Sequence, residues 1–596
     1  MRTNRIGTKN SVAKISKFYK YQYISAYSDK TTGWKINPIF KRIAIFLIVA
    51  GICTLIAFQV KNINFTNSDL ILKKLWKLFI FSNKSTVNGS ATGIYTDLWK
   101  DSFYSLWITI KLALAGTFTG FALAIITAVL SFKAVTNKFV AYVFKLTILF
   151  LRAIPEIVFI LLITNTFRNE ISLMIVYLWF TWLWLHKYYI EILQNVDLNP
   201  YYLSINQGNT KFKAFIKEIW PRINNRIFAL FIFSFESNIR WAAILGALSL
   251  PGIGVLINYA SEKTIRFTQL GIPLLVLMGF IIFLEIINIL FKNYLFETKS
   301  KSYIQKYKFK TLEYQRLAKT INFRKLIMTS IFLICTVITI WTVTSTPIWF
   351  FNLSETKLFF NAFFHPDFSG FKLNSWDHNF NPFLMIWESI SFTIMALTIC
   401  TFFTFISVRL QSIRLNKAWF SVFWRGFNAL IRLIPTVVYF YVFLPILTAS
   451  PFFLIIIILG LHEMSSKSKQ LVEAVDNLDE EIITNMRMQG YSNNQIYLKF
   501  IIPSLKREII SLTIFYFELI FRNSITYAVF AQNELSIGNN IYKNLDGKTN
   551  FNPQLAMGYI WIATISILTI NICGYTILNW NKIQPNLFKR TKMLSN

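Results

Sequence analysis

Long apolar runs, broken at intervals by short polar stretches, dominate this chain. The runs predict spans near 43–59, 103–132, 139–165, 171–187, 227–256 and 269–291. A second set follows near 326–345, 386–408, 418–447, 452–466, 508–535 and 556–579. Several reach the roughly 20 residues a helix needs to cross a bilayer. Two polar stretches, 188–226 and 467–507, interrupt the two sets at the same place. Each is too long for a simple helix connection and too short for a domain.

The two sets are copies. Gly208, Pro221, Glu236 and Arg240 recur as Gly490, Pro503, Glu518 and Arg522 at one constant offset. Glu191, Asn195 and Asp197 recur at the same offset as Glu473, Asn477 and Asp479. Arg152 and Pro155 recur as Arg432 and Pro435, two residues out of that register. An even number of spans per copy makes the copies parallel, related by an axis along the membrane normal. The expectation is an all-α polytopic membrane protein of two parallel six-helix units, about 12 transmembrane helices in all. Residues 1–42 form a basic cytoplasmic tail, 43–296 the first unit, 297–325 a basic cytoplasmic linker, 326–580 the second unit and 581–596 a cytoplasmic tail.

Composition supports a membrane protein. The 596 residues are 54% hydrophobic and only 15% charged, against about 25% charged in soluble domains; mean hydropathy is +0.46. The net charge of +33 raises nucleic acid as a partner. The charge is clustered, however, and no basic segment carries a nucleic-acid-binding motif. Residues 1–42 hold ten Lys/Arg against Asp29, and 292–325 hold ten against Glu297 and Glu313. The stretch 346–384 has Lys357 and Lys372 against Glu355, Asp367 and Asp377. Basic loops stay inside, which puts both termini and the linker in the cytoplasm, with 346–384 outside. Cys53, Cys335, Cys400 and Cys573 lie in apolar segments without metal-ligand or disulfide spacing and read as inert buried thiols.

Three groups of residues carry the candidate chemistry. In each polar stretch a helical segment precedes Gly208 or Gly490, where glycine permits a reversal. Thirteen residues on, Pro221 or Pro503 opens the next helix. The plain alternative is an ordinary helix–glycine–helix connection, but the identical spacing in two copies favours a docking element for a soluble partner. Glu236 and Arg240 are four apart, as are Glu518 and Arg522, so each pair shares a helical face. At membrane depth such pairs either lock the structure or line a pathway. Arg152 and Arg432 sit beside Pro155 and Pro435, which interrupt apolar helices. These arginines either line a cavity for phosphate-like groups or, the plainer expectation, snorkel to an interface. Glu156 and Glu285 have no counterpart in the other copy. The run Asp546-Gly-Lys-Thr549 resembles the end of a phosphate-binding loop, but Tyr542 stands where that loop needs glycine.

The Gly-to-Pro loops resemble those of permeases in ATP-binding-cassette importers. The run from Phe235 to Gly246, followed by Pro251-Gly-Ile-Gly254, is similar to the phosphonate-type permeases within that class, as is Arg152-Ala-Ile-Pro-Glu156. The size and fused-duplicate layout resemble mycoplasmal permeases of high-affinity transport systems. The family's Glu-Ala-Ala signature is replaced by Tyr202-Leu-Ser204 and Thr484-Asn-Met486. The resemblance implies a non-enzymatic permease subunit without a cofactor. It also implies two copies of a cytoplasmic ATPase at the loops and an extracytoplasmic binding lipoprotein. The implied cargo is a phosphonate or other phosphorylated anion, or a thiamine-type cofactor. An ion-driven secondary transporter is the alternative; it accounts for the repeat but not for two matched loops.

Overall fold

The computed structural model describes residues 20–24, 32–36, 38–60, 68–83, 97–167, 169–248, 250–263, 265–291, 323–347, 352–446, 451–531, 534–546 and 551–578. The expected tail 581–596 and nearly all of the expected linker 297–325 fall outside them. Two compact bodies divide the chain, Met1–Ile63 and Asn64–Asn596. The first holds an antiparallel hairpin, β1 (Lys20–Ile24) and β2 (Thr32–Ile36), with Lys20 opposite Ile36. It continues into α1 (Pro38–Val60). The hairpin is the one departure from the all-helical expectation among the described residues.

The second body is helical throughout. Its first repeat comprises α2 (Ser68–Leu78), α3 (Leu98–Leu130), α4 (Lys138–Ala153), α5 (Glu156–Thr166), α6 (Asn169–Gln194), α7 (Asn199–Asn206), α8 (Lys211–Ala214), α9 (Trp220–Ala247), α10 (Ile253–Glu262) and α11 (Phe267–Phe291). The second comprises α12 (Phe323–Ser345), α13 (Leu353–Phe364), α14 (Pro382–Gln411), α15 (Ala418–Leu433), α16 (Thr436–Phe443), α17 (Pro451–Asp476), α18 (Glu480–Met488), α19 (Asn493–Ile496), α20 (Lys506–Thr526), α21 (Ser536–Leu545) and α22 (Pro553–Leu578). Among the described residues eight helices are long and apolar enough to cross a membrane, and two bent pairs raise that to ten. Helices α1 and α6, at 23 and 26 residues, occupy the remaining two expected spans.

Four expected spans are not straight. The pair α4–α5 bends by 85° at Ile154–Pro155, and α15–α16 by 81° at Ile434–Pro435. Proline has no N–H to donate, so it starts a new helix more readily than it continues one. The expected span 227–256 ends at Ala247 and resumes as α10. The expected span 508–535 ends its α-helix at Thr526 and turns into α21.

Close packing marks the crossing between α3 and α6. A Cβ added at Gly116 would overlap the Met174 carbonyl, and one at Gly120 would overlap the Leu178 carbonyl. Small residues four apart let backbones approach where water supplies no hydrophobic drive. The cysteines divide: Cys335 and Cys400 are buried, but Cys53 and Cys573 are exposed on the outer faces of their helices. The expectation of four buried thiols is corrected for those two. An apolar segment that faces lipid exposes one side of its helix to the hydrocarbon rather than to protein.

Candidate functional site

The two polar stretches fold alike from the glycine reversal through the turn that follows it. Helix α7 ends at Asn206, and Gly208 follows at φ +90°. Gly208 N–H donates to the Ile205 carbonyl (2.8 Å), and Asn209 N–H to that of Ser204 (3.2 Å). After α18, Gly490 takes φ +82°. Its N–H donates to the Arg487 carbonyl (2.9 Å), and Tyr491 N–H to that of Met486 (3.1 Å). Both sets close a helix by satisfying two terminal carbonyls with a left-handed residue. Thr210 then caps α8, and Ser492 caps α19 with a reciprocal bond from Gln495. One widened π turn follows in each copy, Phe215–Ile219 and Tyr497–Ile501. Pro221 then opens the long helix α9, whereas Pro503 sits in a short turn, Ile502–Ser504, that breaks at Leu505 before α20 begins.

Each loop rests on the turn that leads into the bent pair of its repeat, between α3 and α4 in the first and between α14 and α15 in the second. In the first repeat Tyr201 is fully buried and donates its hydroxyl to the Ala134 carbonyl (2.9 Å). Phe215 and Ile219 pack with it on Phe132. In the second repeat Ile483, Tyr497 and Ile501 hold the equivalent places against Leu415. The Tyr497 hydroxyl donates to the Phe405 carbonyl (2.8 Å), and burial pushes its pKa up to about 12. Polar ties add to this seat. Arg414 pairs with Glu480, and Arg487 donates to the Arg414 carbonyl. Asn493 reaches the Leu415 carbonyl (2.7 Å). The outward faces mix apolar and charged side chains: Tyr202, Leu203, Phe212 and Ile216 are exposed with Lys211, Lys213 and Lys217 on the first loop, and Ile482, Met488 and Leu498 with Glu481 and Lys499 on the second.

Away from the loops, the bent helices carry charge across the boundary between repeats. Arg152 ends α4 and donates to Glu518 of α20 (3.1 Å); Glu518 also accepts from Arg522 (2.7 Å). Arg432 ends α15 and donates to Glu285 of α11 (2.8 Å); Glu285 also accepts from Lys469 (3.2 Å). The equivalent arginines therefore each meet a carboxylate of the other repeat. Neither snorkels: both side chains are mostly enclosed. A buried guanidinium keeps its charge only where a carboxylate offsets the lost hydration. Arg240 pairs with Glu236 (2.6 Å) within α9, and Arg522 with Glu518 within α20. The first pair closes within its own helix; the second is tied across the seam by Arg152.

Helix packing repeats the exchange. Helix α5 packs on α13, α20 and α21, and α16 packs on α2, α9 and α10. Asn165 donates to the Leu545 carbonyl (3.0 Å), and Thr166 meets Thr356 (2.8 Å). Lys74 of α2 donates to the Tyr441 carbonyl (2.6 Å). Of the Asp546–Thr549 run, only Asp546 is described.

The family of binding-protein-dependent transport system inner membrane components matches this chain twice, over residues 120–301 and 410–582. The chain belongs to this family. It is similar to the ABC transport system permease protein p69 of Mycoplasma pneumoniae, with 26% identity over 73% of this chain and 79% of that protein. It is also similar to the p69 permease of Mycoplasma genitalium, with 25% identity over 70% of this chain and 75% of that protein. No solved structure matches the chain significantly.

Some residues of this permease escape sequence reasoning. Thr136 caps the end of α3 through the Leu130 and Phe132 carbonyls (2.7 and 2.8 Å). Its counterpart Asn416 caps α14 through those of Arg409 and Leu410 (2.8 and 3.0 Å). The two side chains do the same work with different chemistry, so identity matching passes over them. Glu388 accepts from Leu535 and Ser536 N–H (2.9 and 3.0 Å) at the start of α21. Leu535 there adopts φ +60°, where the first repeat has Gly252 at φ +114°. A carboxylate at a helix N-terminus is favourable and offsets the strain of a left-handed leucine.

Proposed function

We propose that this ABC permease docks two cytoplasmic ATPase subunits on its matched loops, one at 198–221 and one at 480–503. Both termini then lie in the cytoplasm, and an extracytoplasmic lipoprotein delivers cargo to the opposite side. The observation that carries this reading is the same glycine reversal at Gly208 and Gly490, with large apolar side chains exposed on the faces beside each. A soluble partner gains by covering such faces, and two equivalent loops suit two equivalent partners. ATP-driven closure of the partner pair moves both loops; the loops sit on the turns that lead into the bent helices and their charged seam. The pathway runs along that seam, past Arg152, Glu236, Arg240, Arg432, Glu518 and Arg522.

The cargo is a phosphonate, another phosphorylated anion or a thiamine-type cofactor. What supports an anion is the guanidinium chemistry of the seam. Arg240, Arg432 and Arg522 each keep a buried Nε–H without an acceptor among the described residues. Guanidinium groups suit phosphate oxygens.

Gly208 gives the sharpest test. A Cβ there meets no neighbouring atom, so a substitution acts through the backbone alone. Gly208→Val strains the left-handed turn by about 1–2 kcal/mol, whereas Gly208→Asn is tolerated better. Co-purification of the ATPase and ATP-driven uptake in vesicles should fall for Val and largely persist for Asn. Equal behaviour of both variants and the wild type would remove the docking role. Uptake driven by an ion gradient without any ATPase would favour a secondary transporter instead.

A further inference from the structure

The turn between α14 and α15 borders an open cavity of about 560 Å³, lined by Leu415, Asn416, Lys417, Trp419, Phe420 and Arg487. Helix α14 is long and apolar enough to cross the membrane, so the turn after it lies at the membrane's edge. Lys417 and Arg487 are exposed at the cavity, and among the described residues neither has a carboxylate in ion-pair reach. The nearby acids are committed: Glu480 to Arg414 and Asp476 to Arg425. Trp419 stands beside the cavity and is 71% exposed. Along α15 beyond it, Val422, Phe423 and Phe427 are also exposed and apolar.

We infer that this cavity binds the headgroup of an anionic phospholipid. The phosphate lies between Lys417 and Arg487, and an acyl chain runs along the outer face of α15. Three features fit this occupant better than a soluble one. Basic pockets at the ends of membrane helices recognise anionic headgroups. Tryptophan favours the headgroup level of a bilayer. The apolar strip on α15 continues directly from the charged cavity, as an amphiphile requires. The lipid then touches Arg487 of α18, the same side chain that ties the second loop to Arg414. A bound headgroup would brace that loop, whereas the first repeat has Ile205 at the position equivalent to Arg487.

The test uses the full chain, reconstituted in phosphatidylcholine bilayers with a minor share of phosphatidylglycerol and then extracted in mild detergent. Mass spectrometry of the retained lipid should find phosphatidylglycerol enriched over its share in the bilayer. The K417Q/R487Q variant should weaken that retention about tenfold or more, and K417R/R487K should keep it. Brominated phosphatidylglycerol should quench a tryptophan signal that Trp419→Phe removes; this reading needs neither charge variant to fold. Unchanged enrichment in K417Q/R487Q, quenching unaffected by Trp419→Phe, or displacement of the lipid by millimolar inorganic phosphate would each overturn the inference. None of these measurements involves transport, so failure here leaves the proposed function standing.

Discussion

Glu285 offsets two cations, Arg432 and Lys469, from a position that has no charged counterpart in the other repeat. Glu518 offsets Arg152 and Arg522. The two sites answer differently to substitution. Glu285→Gln leaves Arg432 enclosed and unpaired, and breaking a buried pair this way costs about 3–5 kcal/mol. Arg152→Gln is milder, because Glu518 keeps Arg522. Thermal unfolding in detergent should therefore rank Glu285→Gln well below Arg152→Gln, and adding Lys469→Gln to Glu285→Gln should recover part of the loss. Equal midpoints for the two single variants would contradict this assignment of partners. At this scale the sequence is only half legible. Arg152 and Arg432 stand out because the repeat duplicates them. Glu518 stands out for the same reason, as the copy of Glu236. The pairing of either arginine with its carboxylate does not, because each bond spans the two repeats and no local spacing encodes it.

Helices are legible where the apolar run is long and unbroken, as in α3, α11 and α22. Their ends and bends are not. Both α4–α5 and α15–α16 are apolar on each side of their proline, so hydropathy joins what the backbone separates by more than 80°. The short helices α10 and α21 are missed too: α10 begins inside the expected span 227–256 and runs past its end, and α21 lies wholly beyond the expected span 508–535. What holds α10 against α9 is steric: a Cβ at Gly254 would overlap the Ala242 carbonyl, and one at Gly246 would overlap Gly254. Gly279 in α11 meets nothing within 4 Å. Gly254→Ala should therefore destabilise the permease by several kcal/mol, in the range of severe overpacking. Gly279→Ala should be neutral or stabilising by up to about 1 kcal/mol. Expression level and unfolding temperature would separate the two, and a harmless Gly254→Ala would refute the tight α9–α10 hairpin.

Within residues 64–596 the repeats are not side-by-side modules. Helix α12, the first of the second repeat, packs on α3 of the first. Cys335 lies buried in the first repeat's apolar cluster, and the ring of Phe332 meets that of Phe118 at 5.1 Å between centroids. Arg152 and Arg432 cross in opposite directions, as do α5 and α16. Sequence periodicity finds the copies but not this exchange, because a repeat offset says which residues correspond and nothing about which ones touch. The exchange has a consequence for assembly. A chain cut after Lys310 yields a first half whose α3 lacks its α12 cover and whose Glu285 lacks two cations. The second half keeps Glu518 paired to Arg522 but loses Arg152 and the packing of α5. Each half expressed alone should aggregate or be degraded, since enclosed charge and unburied packing surfaces carry large penalties in a membrane. Expressed together, the halves should co-purify through one affinity tag and restore the unfolding transition of the intact chain. Adding Glu285→Gln to the first half should weaken that reassociation more than adding Arg152→Gln does, in the same order as in the intact protein. Two halves that are each stable alone and fail to associate would show that the seam between the repeats does not hold the molecule together.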